Sequence, residues 1–353
     1  MRAWDETEAA LRRAAERRAE SHAETLAEIE EEGIALDPPA PGRHQHGDLE
    51  HESDHAHPHV HSTPGERPVT GIVGAGAVGL ALGVALHRAG WPVGAVASRD
   101  PARRERFREH VPEVRAFAEP EALLDDVELV ILAVPDDVLP PLAATLRMYA
   151  GQAMVHTSGL LGAEVLRPAM AAGTQAGAFH PLVAFADLDR ALAALTGATI
   201  AIEGDDELAA HLADMAEAIG GVPVRLAPGS KAAYHAAAVL AAGGVVALLD
   251  TIREVGAVMG LDEAGVLGIF VPLLEQTVAN ARALGIAAAL TGPATRGDAG
   301  TVSAHLEALA ASAPDALPVY RALVARSVRI AIERRALSPE ASERLRTALA
   351  GNS

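Results

Sequence analysis

The sequence predicts an α/β protein in which a doubly wound parallel sheet, covered on both faces by helices, precedes an all-α domain. From Val69 to about residue 228, short apolar runs alternate with helical stretches, which is the pattern of βαβ units. After Gly229 the strand signals stop and helical patterns continue to the C-terminus. Residues 1–65 follow neither pattern. We therefore expect a terminal segment over 1–65, the α/β domain over 66–228 and the all-α domain over 229–353.

The terminal segment is acidic. Residues 1–65 hold 15 Asp and Glu against 6 Lys and Arg, which accounts for half of the chain's net charge of −18. The first 33 residues carry an apolar stripe that suits one helix. The residues after them are rich in Pro, Gly and charge and cannot bury enough apolar surface to offset chain entropy. We expect a disordered tail with a helix at its start.

The tail is also rich in histidine, with seven of the fifteen histidines at His44, His46, His51, His55, His57, His59 and His61. Imidazoles at this density bind Ni²⁺ or Zn²⁺ adventitiously, but a segment without a fold does not set a coordination geometry. No comparable cluster of His, Asp and Glu occurs in the rest of the sequence. We therefore expect no metal site in the folded part.

Composition disfavours several classes of protein. The net charge of −18 and the aromatic content of 3% disfavour nucleic-acid binding, which needs a basic surface. The absence of cysteine excludes disulfides and fits a reducing compartment. The charged start lacks the apolar stretch of a signal peptide, and the longest apolar run, 236–249, is shorter than the roughly 20 residues that span a membrane. We expect a cytoplasmic protein with a small-molecule substrate and neither a nucleic-acid nor a membrane partner.

Each element of the sheet domain follows from a local pattern. Apolar runs predict strands near 69–73, 92–97, 128–134, 152–156 and 175–179, and helices open between them at about 77, 101, 136 and 161. Two further runs, ATIAIEG and VPVRLA, flank a helical stretch near 206–219 and extend the same parallel sheet. Four helices are expected after Gly229.

The first predicted strand leads directly into the stretch GAGAVG at the mouth of a helix. In a dinucleotide site the first glycine permits the tight turn, the second lets the backbone approach the pyrophosphate, and the third lets the helix pack on the strand. The helix N-terminus also attracts phosphate. The strand before and the helix after favour a dinucleotide site over a plain glycine-rich turn, with contacts from Gly74, Gly76, Ala77, Val78 and Gly79.

The tip of the second strand indicates which dinucleotide binds. An NAD site usually carries an acidic residue about 20 positions after the glycines, whereas the 2′-phosphate of NADP needs positive charge and donors. Here Ser98 and Arg99 occupy the tip, and Arg103 follows one turn into the next helix. Asp100 is an acidic counter-signal, but it precedes a proline and suits a helix N-cap. The sequence therefore favours NADP.

The third predicted strand, 128–134, ends at the edge where parallel sheets bind their ligands. Ala133, Val134 and Pro135 end a buried strand and are expected beside the nicotinamide. Asp136 or Asp137 then suits the N-cap of the next helix.

Polar side chains follow the next two strands. His156 and Ser158 are expected to contact the cofactor, and His180 is a candidate catalytic group. A capping role for Ser158, or a simple backbone hydrogen bond for His180, is the structural alternative.

The stretch SKAAYHAAAVLAAGGVVALL predicts one long helix that is apolar almost all round and therefore buried. Lys231 and His235 share a face at its start, at the junction of the two domains. Burying such groups is costly unless they are paired or used. We interpret Lys231 as a proton donor or oxyanion holder and His235 as its positioning partner. The alternative is a lysine that reaches solvent and a histidine bonded to a carbonyl.

Gly243 and Gly244 lie within the same apolar stretch and allow a second helix to approach closely. This favours a homodimer formed through the helical domain, although the close packing could equally be internal.

The loop LTGPATRGD, between two C-terminal helices, holds further candidates for substrate binding. Arg296 offers a planar fork that suits a substrate carboxylate, and Thr291 offers a hydroxyl. The alternative is a local turn in which Arg296 pairs with Asp298 and Thr301 caps a helix.

The motifs GAGAVG, AVPDD, HTSG, AFHPL, GSKAAYHAAA and TGPATRGD occur in an order that resembles the Rossmann-like proteins with a C-terminal DUF2520 domain. That family is similar to the 6-phosphogluconate dehydrogenase-like group, which includes pyrroline-5-carboxylate and ketopantoate reductases and 3-hydroxyisobutyrate dehydrogenases. The resemblance covers about residues 68–350. It implies a Rossmann domain followed by a helical domain for substrate binding and dimerisation.

The resemblance also implies roles for two residues. In the wider group a helix that enters the second domain carries a Lys and, four residues on, an Asn, which hold the reacting oxygen of the substrate. Lys231 matches the Lys, whereas His235 stands in place of the Asn. The family pattern also has Ser-Asn where this chain has Ala242 and Gly243.

These observations predict an NADP-dependent oxidoreductase that transfers a hydride between NADP(H) and a small C=O or C=N compound, or the corresponding alcohol or amine. The alternative is an NADP(H)-binding sensor or scaffold without turnover, linked to metal through the histidine-rich tail, because a fold does not determine a function.

Overall fold

The structure, a computed structural model, describes residues 67–227 and 229–350, so the expectations for the acidic tail lie outside the described residues. The described part contains one eight-stranded sheet. Its strands are β1 (Thr70–Val73), β2 (Val93–Ala97), β3 (Arg115–Phe117), β4 (Leu129–Leu132), β5 (Ala153–His156), β6 (Gln175–Pro181), β7 (Thr199–Glu203) and β8 (Val222–Arg225). Their order across the sheet is β3-β2-β1-β4-β5-β6-β7-β8. The strand order therefore switches between β1 and β4, where open α/β sheets bind ligands.

Helices connect these strands and continue to the C-terminus. In the sheet domain they are α1 (Ala77–Arg88), α2 (Pro101–His110), α3 (Leu139–Thr145), α4 (Leu188–Leu195) and α5 (Asp206–Ala218), with 3₁₀ segments over Pro120–Asp126 and Ala163–Ala169. The C-terminal helices are α6 (Lys231–Ala241), α7 (Gly243–Val258), α8 (Glu263–Leu284), α9 (Ile286–Ala289), α10 (Pro293–Arg296), α11 (Ala299–Ser312), α12 (Ala316–Glu333) and α13 (Pro339–Ala350).

The central strands β1, β4 and β5 are buried on both faces, as their near-continuous apolar sequences predict, whereas the edge strands β3 and β8 are partly exposed. Successive strand residues enter opposite cores because side chains alternate across a sheet. Ile72 and Val155 lie in one core, whereas Val73 and Met154 lie in the other. The α/β fold class followed by a helix-rich region is therefore confirmed.

Several predicted elements differ from the observed ones. The prediction of an all-parallel sheet is wrong at one pair, because β7 runs antiparallel to β6. The short strand β3 and the helix α4 were missed by the sequence patterns. The helix expected at 136 begins at Leu139, and the one expected at 161 is a 3₁₀ segment. In place of four C-terminal helices, residues 231–350 form the eight segments α6–α13.

The long apolar stretch after Ser230 is not buried within the described chain. A break at Ala242 divides it into α6 and α7, and Lys231 is the buried residue of α6. By length and composition, Lys231–Val258 and Glu263–Leu284 could each cross a membrane, although core helices of soluble proteins pass the same test. The expectation of burial fails because the described elements cover these helices only in part: α7 packs against α8, α11 and α12, whereas most of α6 and α8 stays exposed.

Candidate functional site

The glycine-rich turn after β1 fits a dinucleotide pyrophosphate. Gly74 adopts φ +102°, and a Cβ there would lie 2.3 Å from the carbonyl oxygen of Ala133. A Cβ on Gly79 would lie 1.9 Å from the carbonyl oxygen of Gly74. These two glycines are therefore required by the turn and by the packing of helix α1 on the sheet.

Gly76 is different, because nothing in the fold requires a glycine there. Its φ of −77° suits any residue, and a Cβ would meet Arg103 Nη1 alone, at 3.8 Å. Gly76 is also the N-cap of α1 and makes no side-chain capping bond, so the first-turn N–H groups at the exposed Ala77 and at Val78 face the turn. A bare backbone at a helix N-terminus is the arrangement that binds phosphate.

The tip of β2 offers positive charge to a 2′-phosphate. Arg99 is exposed, and among the described residues it has no ion pair. Asp100 accepts hydrogen bonds from the backbone N–H of Ala102 and Arg103 and so caps α2, which confirms its assignment as an N-cap. The side chain of Arg104 donates to the Ser98 carbonyl. Arg103 pairs with Asp100, its Nε lying 3.3 Å from Oδ2, so Arg99 is the arginine at this tip that has no ion pair among the described residues.

The end of β4 lies against the glycine-rich turn. The N–H of Ala133 donates to the Val73 carbonyl at 2.8 Å, which continues the pairing of β4 with β1 and leads into Val134 and Pro135. The expectation that Asp136 or Asp137 caps the next helix is wrong, because Val138 occupies the N-cap position of α3 without a side-chain bond. The charge of Asp136 acts instead on the candidate site described next.

His156 is fully buried, and both of its ring nitrogens bond the backbone. Nδ1 accepts from the Ser158 N–H at 3.2 Å, and Nε2 lies 3.0 Å from the Gly162 carbonyl oxygen, to which it donates. Burial, and after it the charge of Lys231, lowers the pKa of His156 to about 4. A neutral imidazole bonded in this way holds the loop after β5 and leaves neither nitrogen for a ligand.

Ser158 serves the same loop. Its hydroxyl oxygen accepts hydrogen bonds from the N–H groups of Leu160 and Leu161 at 3.1 and 2.9 Å. This is the capping role that was the alternative to cofactor contact, and it occupies the oxygen as an acceptor.

His180 lies beside two side chains of α6. Its Nδ1 is 3.3 Å from the Tyr234 hydroxyl, and its ring centre is 6.1 Å from that of His235. Burial, and next the charge of Lys231, lowers the pKa of His180 to about 4. A Cβ on Gly159 would lie 2.7 Å from Nε2 of His180 and 2.5 Å from Nδ1 of His235. Only glycine fits beneath these two imidazoles, and Nδ1 of His235 is buried without a hydrogen-bond partner.

Lys231 is 5% exposed, and its Nζ has no hydrogen-bond partner. Nζ lies 3.7 Å from Oε2 of Glu203, which is close enough for an ion pair and too far for a hydrogen bond. The same carboxylate oxygen accepts from the Ala163 N–H at 3.2 Å. Burial lowers the pKa of Lys231, and the charges of Glu203 and Glu164 oppose that shift. The ammonium is thus desolvated, paired and still able to donate.

The reversed strand β7 explains how Glu203 reaches this lysine. Ala178 of β6 pairs with His156 of β5 on one side and with Glu203 of β7 on the other. The C-terminal residues of β5 and β7 therefore lie at the same level of the sheet, although the strands run in opposite directions. His180 lies two residues further along β6, on the same face as Ala178.

Sequence reasoning missed Glu203, Tyr234 and Gly159, although one signal for the site was present. Lys231 is the only lysine among the 29 Lys and Arg residues of the chain. Arginine does not lose its proton in proteins, whereas a buried lysine does so readily. A single lysine among 28 arginines therefore singles out position 231 in the sequence.

The predicted loop residues Thr291 and Arg296 are exposed and belong to the helical region. Arg296 ends α10, which packs against α11 and α12. Asp298 caps α11 by accepting from the N–H and the hydroxyl of Thr301 at 3.0 and 2.7 Å. The capping of α11 through Thr301 is thus the part of the alternative to substrate binding that the structure contains. Among the described residues, no recorded contact joins this loop to Lys231.

Comparisons with known proteins agree with this architecture. Residues 57–181 match the model of the Rossmann-like domain, and residues 198–327 match that of a domain of unknown function, DUF2520. The chain thus joins a Rossmann-like domain to a helix-rich region. These two matches are the domains of the Rossmann-like proteins with a C-terminal DUF2520 domain that the order of the motifs resembles. A search of curated proteins found no match.

Three solved structures illustrate the likeness. A Thermotoga maritima protein is 26% identical, with a TM-score of 0.61 over 76% of this chain and 100% of that one. A Bacteroides fragilis protein, provisionally assigned as an NADP oxidoreductase, is 22% identical, with a TM-score of 0.62 over 74% and 98%. The reductive aminase of Aspergillus terreus, in complex with NADPH and ethyl-5-oxohexanoate, is 20% identical, with a TM-score of 0.56 over 80% and 99%.

Proposed function

We propose that this protein is an NADP-dependent oxidoreductase that transfers a hydride between NADP(H) and a small C=O or C=N compound, or the corresponding alcohol or amine. The observation that carries the proposal is Lys231, a 5% exposed ammonium without a hydrogen-bond partner, in a protein whose first βα turn fits a dinucleotide. The structural likeness to a reductive aminase with bound NADPH supports the same class.

The residues that would hold the cofactor lie at the switch in strand order. The backbone from Gly74 to Gly79 would bind the pyrophosphate, and Arg99 and Arg103 would bind the 2′-phosphate through charge-assisted hydrogen bonds. The end of β4, from Ala133 to Pro135, would line the nicotinamide side. When bound, NADP(H) supplies or accepts the hydride.

The chain itself would supply the proton. Lys231 would donate to the reacting oxygen or nitrogen as negative charge develops there, because its desolvated ammonium gives up a proton more readily than one in water. Glu203 would hold that ammonium in place. His180, neutral near pH 7 and bonded to Tyr234, would form the neighbouring wall and contact the substrate.

The test combines a turnover assay with a titration of the Lys231 side chain. NADPH consumption is followed with a panel of aldehydes, ketones, oxo acids and imines, and an active substrate is then used to compare Lys231→Ala and Lys231→Arg. We expect either change to lower turnover by roughly 10²–10⁴-fold, as for lost acid–base catalysis, with NADPH affinity nearly unchanged. Loss with arginine would show that charge alone is insufficient.

Isotope-labelled lysine gives a single side-chain resonance, because the chain has one lysine. Its titration should show a pKa below the usual lysine range, and Glu203→Gln should lower that pKa further by removing the paired carboxylate. NADPH binding without turnover of any compound on the panel would favour a sensor or scaffold. Full turnover by Lys231→Ala would refute the role given to the lysine.

We also propose that a second copy of this chain covers helices α6–α8, consistent with the homodimer expected from the sequence. Ten large apolar side chains on and between these helices are 39–73% exposed: Val239, Leu240, Val246, Val258, Met259, Leu267, Ile269, Leu273, Val278 and Leu284. At roughly 80 Å² each they expose on the order of 800 Å², similar to one side of a standard interface.

A lipid bilayer fits these helices less well than a second copy. Asp250, Arg253 and Glu254 lie within α7, and charged side chains inside a membrane are costly. This proposal accords with a cytoplasmic protein that acts on a small-molecule substrate. It also accords with a histidine-rich tail that binds Ni²⁺ or Zn²⁺ only adventitiously.

A further inference from the structure

The ammonium of Lys231 is too deep in the fold for water to return a proton to it directly. Reduction of a C=O or C=N bond consumes one proton per turnover, and the proposed function takes that proton from Lys231. The lysine is 5% exposed, and its Nζ is buried without a hydrogen-bond partner. A second group must therefore connect the neutral amine to solvent once the proton has been given up.

Glu203 is a carboxylate that reaches both the lysine and solvent. Its Oε2 lies 3.7 Å from Nζ, and its side chain is 18% exposed, against 5% for Lys231. The Ala163 N–H donates to the same oxygen at 3.2 Å and holds it beside the lysine. The distance from Oε2 to Nζ exceeds that of a hydrogen bond by only about 0.5 Å. A small movement of either side chain therefore allows a proton to pass between them.

The other titratable groups near the lysine are less suited to this role. They are Glu164, Asp136, His156, His180, Tyr234 and His235. Among the described residues, Glu203 is the one carboxylate that forms an ion pair with Lys231. His156 is buried and has both ring nitrogens bonded to the backbone. His180 is bonded through Nδ1 to a tyrosine hydroxyl, and its Nε2 faces Gly159.

We propose that Glu203 is the path by which protons enter and leave Lys231, and that it restores the ammonium after each turnover. The neutral amine takes a proton from the Glu203 carboxylic acid, which leaves an ammonium and a carboxylate, and the carboxylate then takes a proton from solvent. The transfer runs in this direction because an amine holds a proton more tightly than a carboxylate does. The inference rests on the proposed function and adds the source of its proton.

The supply of protons along this path is fast enough for an enzyme. At pH 7, hydronium that meets a carboxylate near the diffusion limit of about 10¹⁰ M⁻¹ s⁻¹ delivers about 10³ protons per second. This rate exceeds the typical enzyme turnover of about 10 s⁻¹.

The single lysine allows the path to be measured without substrate or cofactor. In protein labelled with ¹⁵N-lysine, NMR gives the rate at which the Nζ protons exchange with water. Glu203→Gln removes the carboxylate but keeps an oxygen that can accept from the Ala163 N–H. If Glu203 carries protons, exchange in this variant should be at least about tenfold slower. If Glu203 acts through its charge alone, its removal makes the ammonium more acidic, so exchange should be unchanged or faster.

Two further variants separate proximity from charge. Glu203→Asp keeps the charge but draws the carboxylate back by one methylene, so exchange should also slow, and this variant decides the question where Glu203→Gln does not fold. Glu164→Gln removes the same charge from an exposed side chain that folds over Gly162, and it should not slow exchange. Unchanged or faster exchange in the Glu203 variants, or equal slowing in Glu164→Gln, would overturn the proposal.

A compound that the protein reduces gives a second measurement. At pH 6, where the ammonium is already formed, the first turnover of Glu203→Gln should keep its rate, whereas steady-state turnover should fall at least about tenfold. Equal loss in both phases, or unaltered steady-state turnover, would overturn the role of Glu203 in restoring the ammonium. Slower Nζ exchange in a protein that reduces no compound on the panel would refute the proposed function while the path to Lys231 stands.

Discussion

The buried histidine that ends β5, His156, should make the fold sensitive to mild acid. The unfolded chain protonates His156 with a pKa of 6.5, whereas the folded chain resists protonation until about pH 4. The folded pKa is the lower one, so the stabilisation is complete above pH 6.5 and is lost as the pH falls toward 4. At pH 5, proton linkage puts the lost share at about 2 kcal/mol.

Urea unfolding at pH 7.5 and at pH 5 measures this effect. His156→Gln removes the titrating group, so the free energy of unfolding of the variant should fall by about 2 kcal/mol less over this interval than that of the unaltered protein. Where the variant does not fold, the ring resonances of His156 in the unaltered protein give the same answer. An imidazole that titrates near pH 6.5 in the folded state would refute the reasoning, as would equal acid sensitivity of the two proteins.

Three more outcomes are expected. Gly76→Ala should weaken NADPH binding about tenfold or more, measured by calorimetry, with little change in melting temperature. Gly83→Ala is the control, because its Cβ would lie 2.2 Å from Phe107 Cζ. This change should cost about 1–3 kcal/mol of stability, measured by thermal melts. Arg99→Ala should abolish a preference for NADPH over NADH, and equal titration curves in the unaltered protein would contradict the predicted specificity. Light scattering should give a dimer that Leu240→Glu dissociates; a monomer, or a chain that partitions into vesicles, would contradict the proposed interface.

The sequence signals for the candidate cofactor site are local ones. The glycine spacing and the capping Asp100 act through the backbone within a few residues, and Arg99 lies directly beside that aspartate, so the local pattern carries the geometry. The structure adds that Gly74 and Gly79 are required by packing whereas Gly76 is not. The observation that points to a ligand is that packing does not require a glycine at position 76. The spacing of the glycines does not reveal this.

The other half of the site depends on strand direction, which an apolar run does not encode. The apolar run TIAIE, which forms β7, fits a parallel strand as well as an antiparallel one. The helix α4 before it is also what a crossover between parallel strands would contain. Because β7 is antiparallel to β6, Glu203 rather than Thr199 lies level with His156. The partner of Lys231 was therefore hidden from sequence reasoning, which paired the lysine with His235 instead.

The burial expected of α6 and α7 failed for a different reason. An apolar pattern indicates that a helix surface needs to be buried, but it does not indicate which element or partner chain buries it. In the described chain Lys231 is buried while most of α6 is exposed, so the apolar pattern and the site belong to different faces of one helix. Under the proposal that a second copy covers α6–α8, the missing information concerns an association and is not part of the fold of the single chain.

The location of the single lysine distinguishes a site from an ordinary helix start. At a helix N-terminus a cation is disfavoured by the helix dipole, and a buried one is disfavoured again by desolvation. A chain that otherwise uses arginine could place any small apolar residue at position 231 and lose neither a hydrogen bond of the Nζ nor a cap, because Nζ makes no hydrogen bond and α6 has no side-chain cap. The fold thus gains little from Lys231 beyond its ion pair with Glu203 at 3.7 Å. Such a pair seldom repays the burial of both charges, so the cost of the arrangement is best explained by a ligand that completes it.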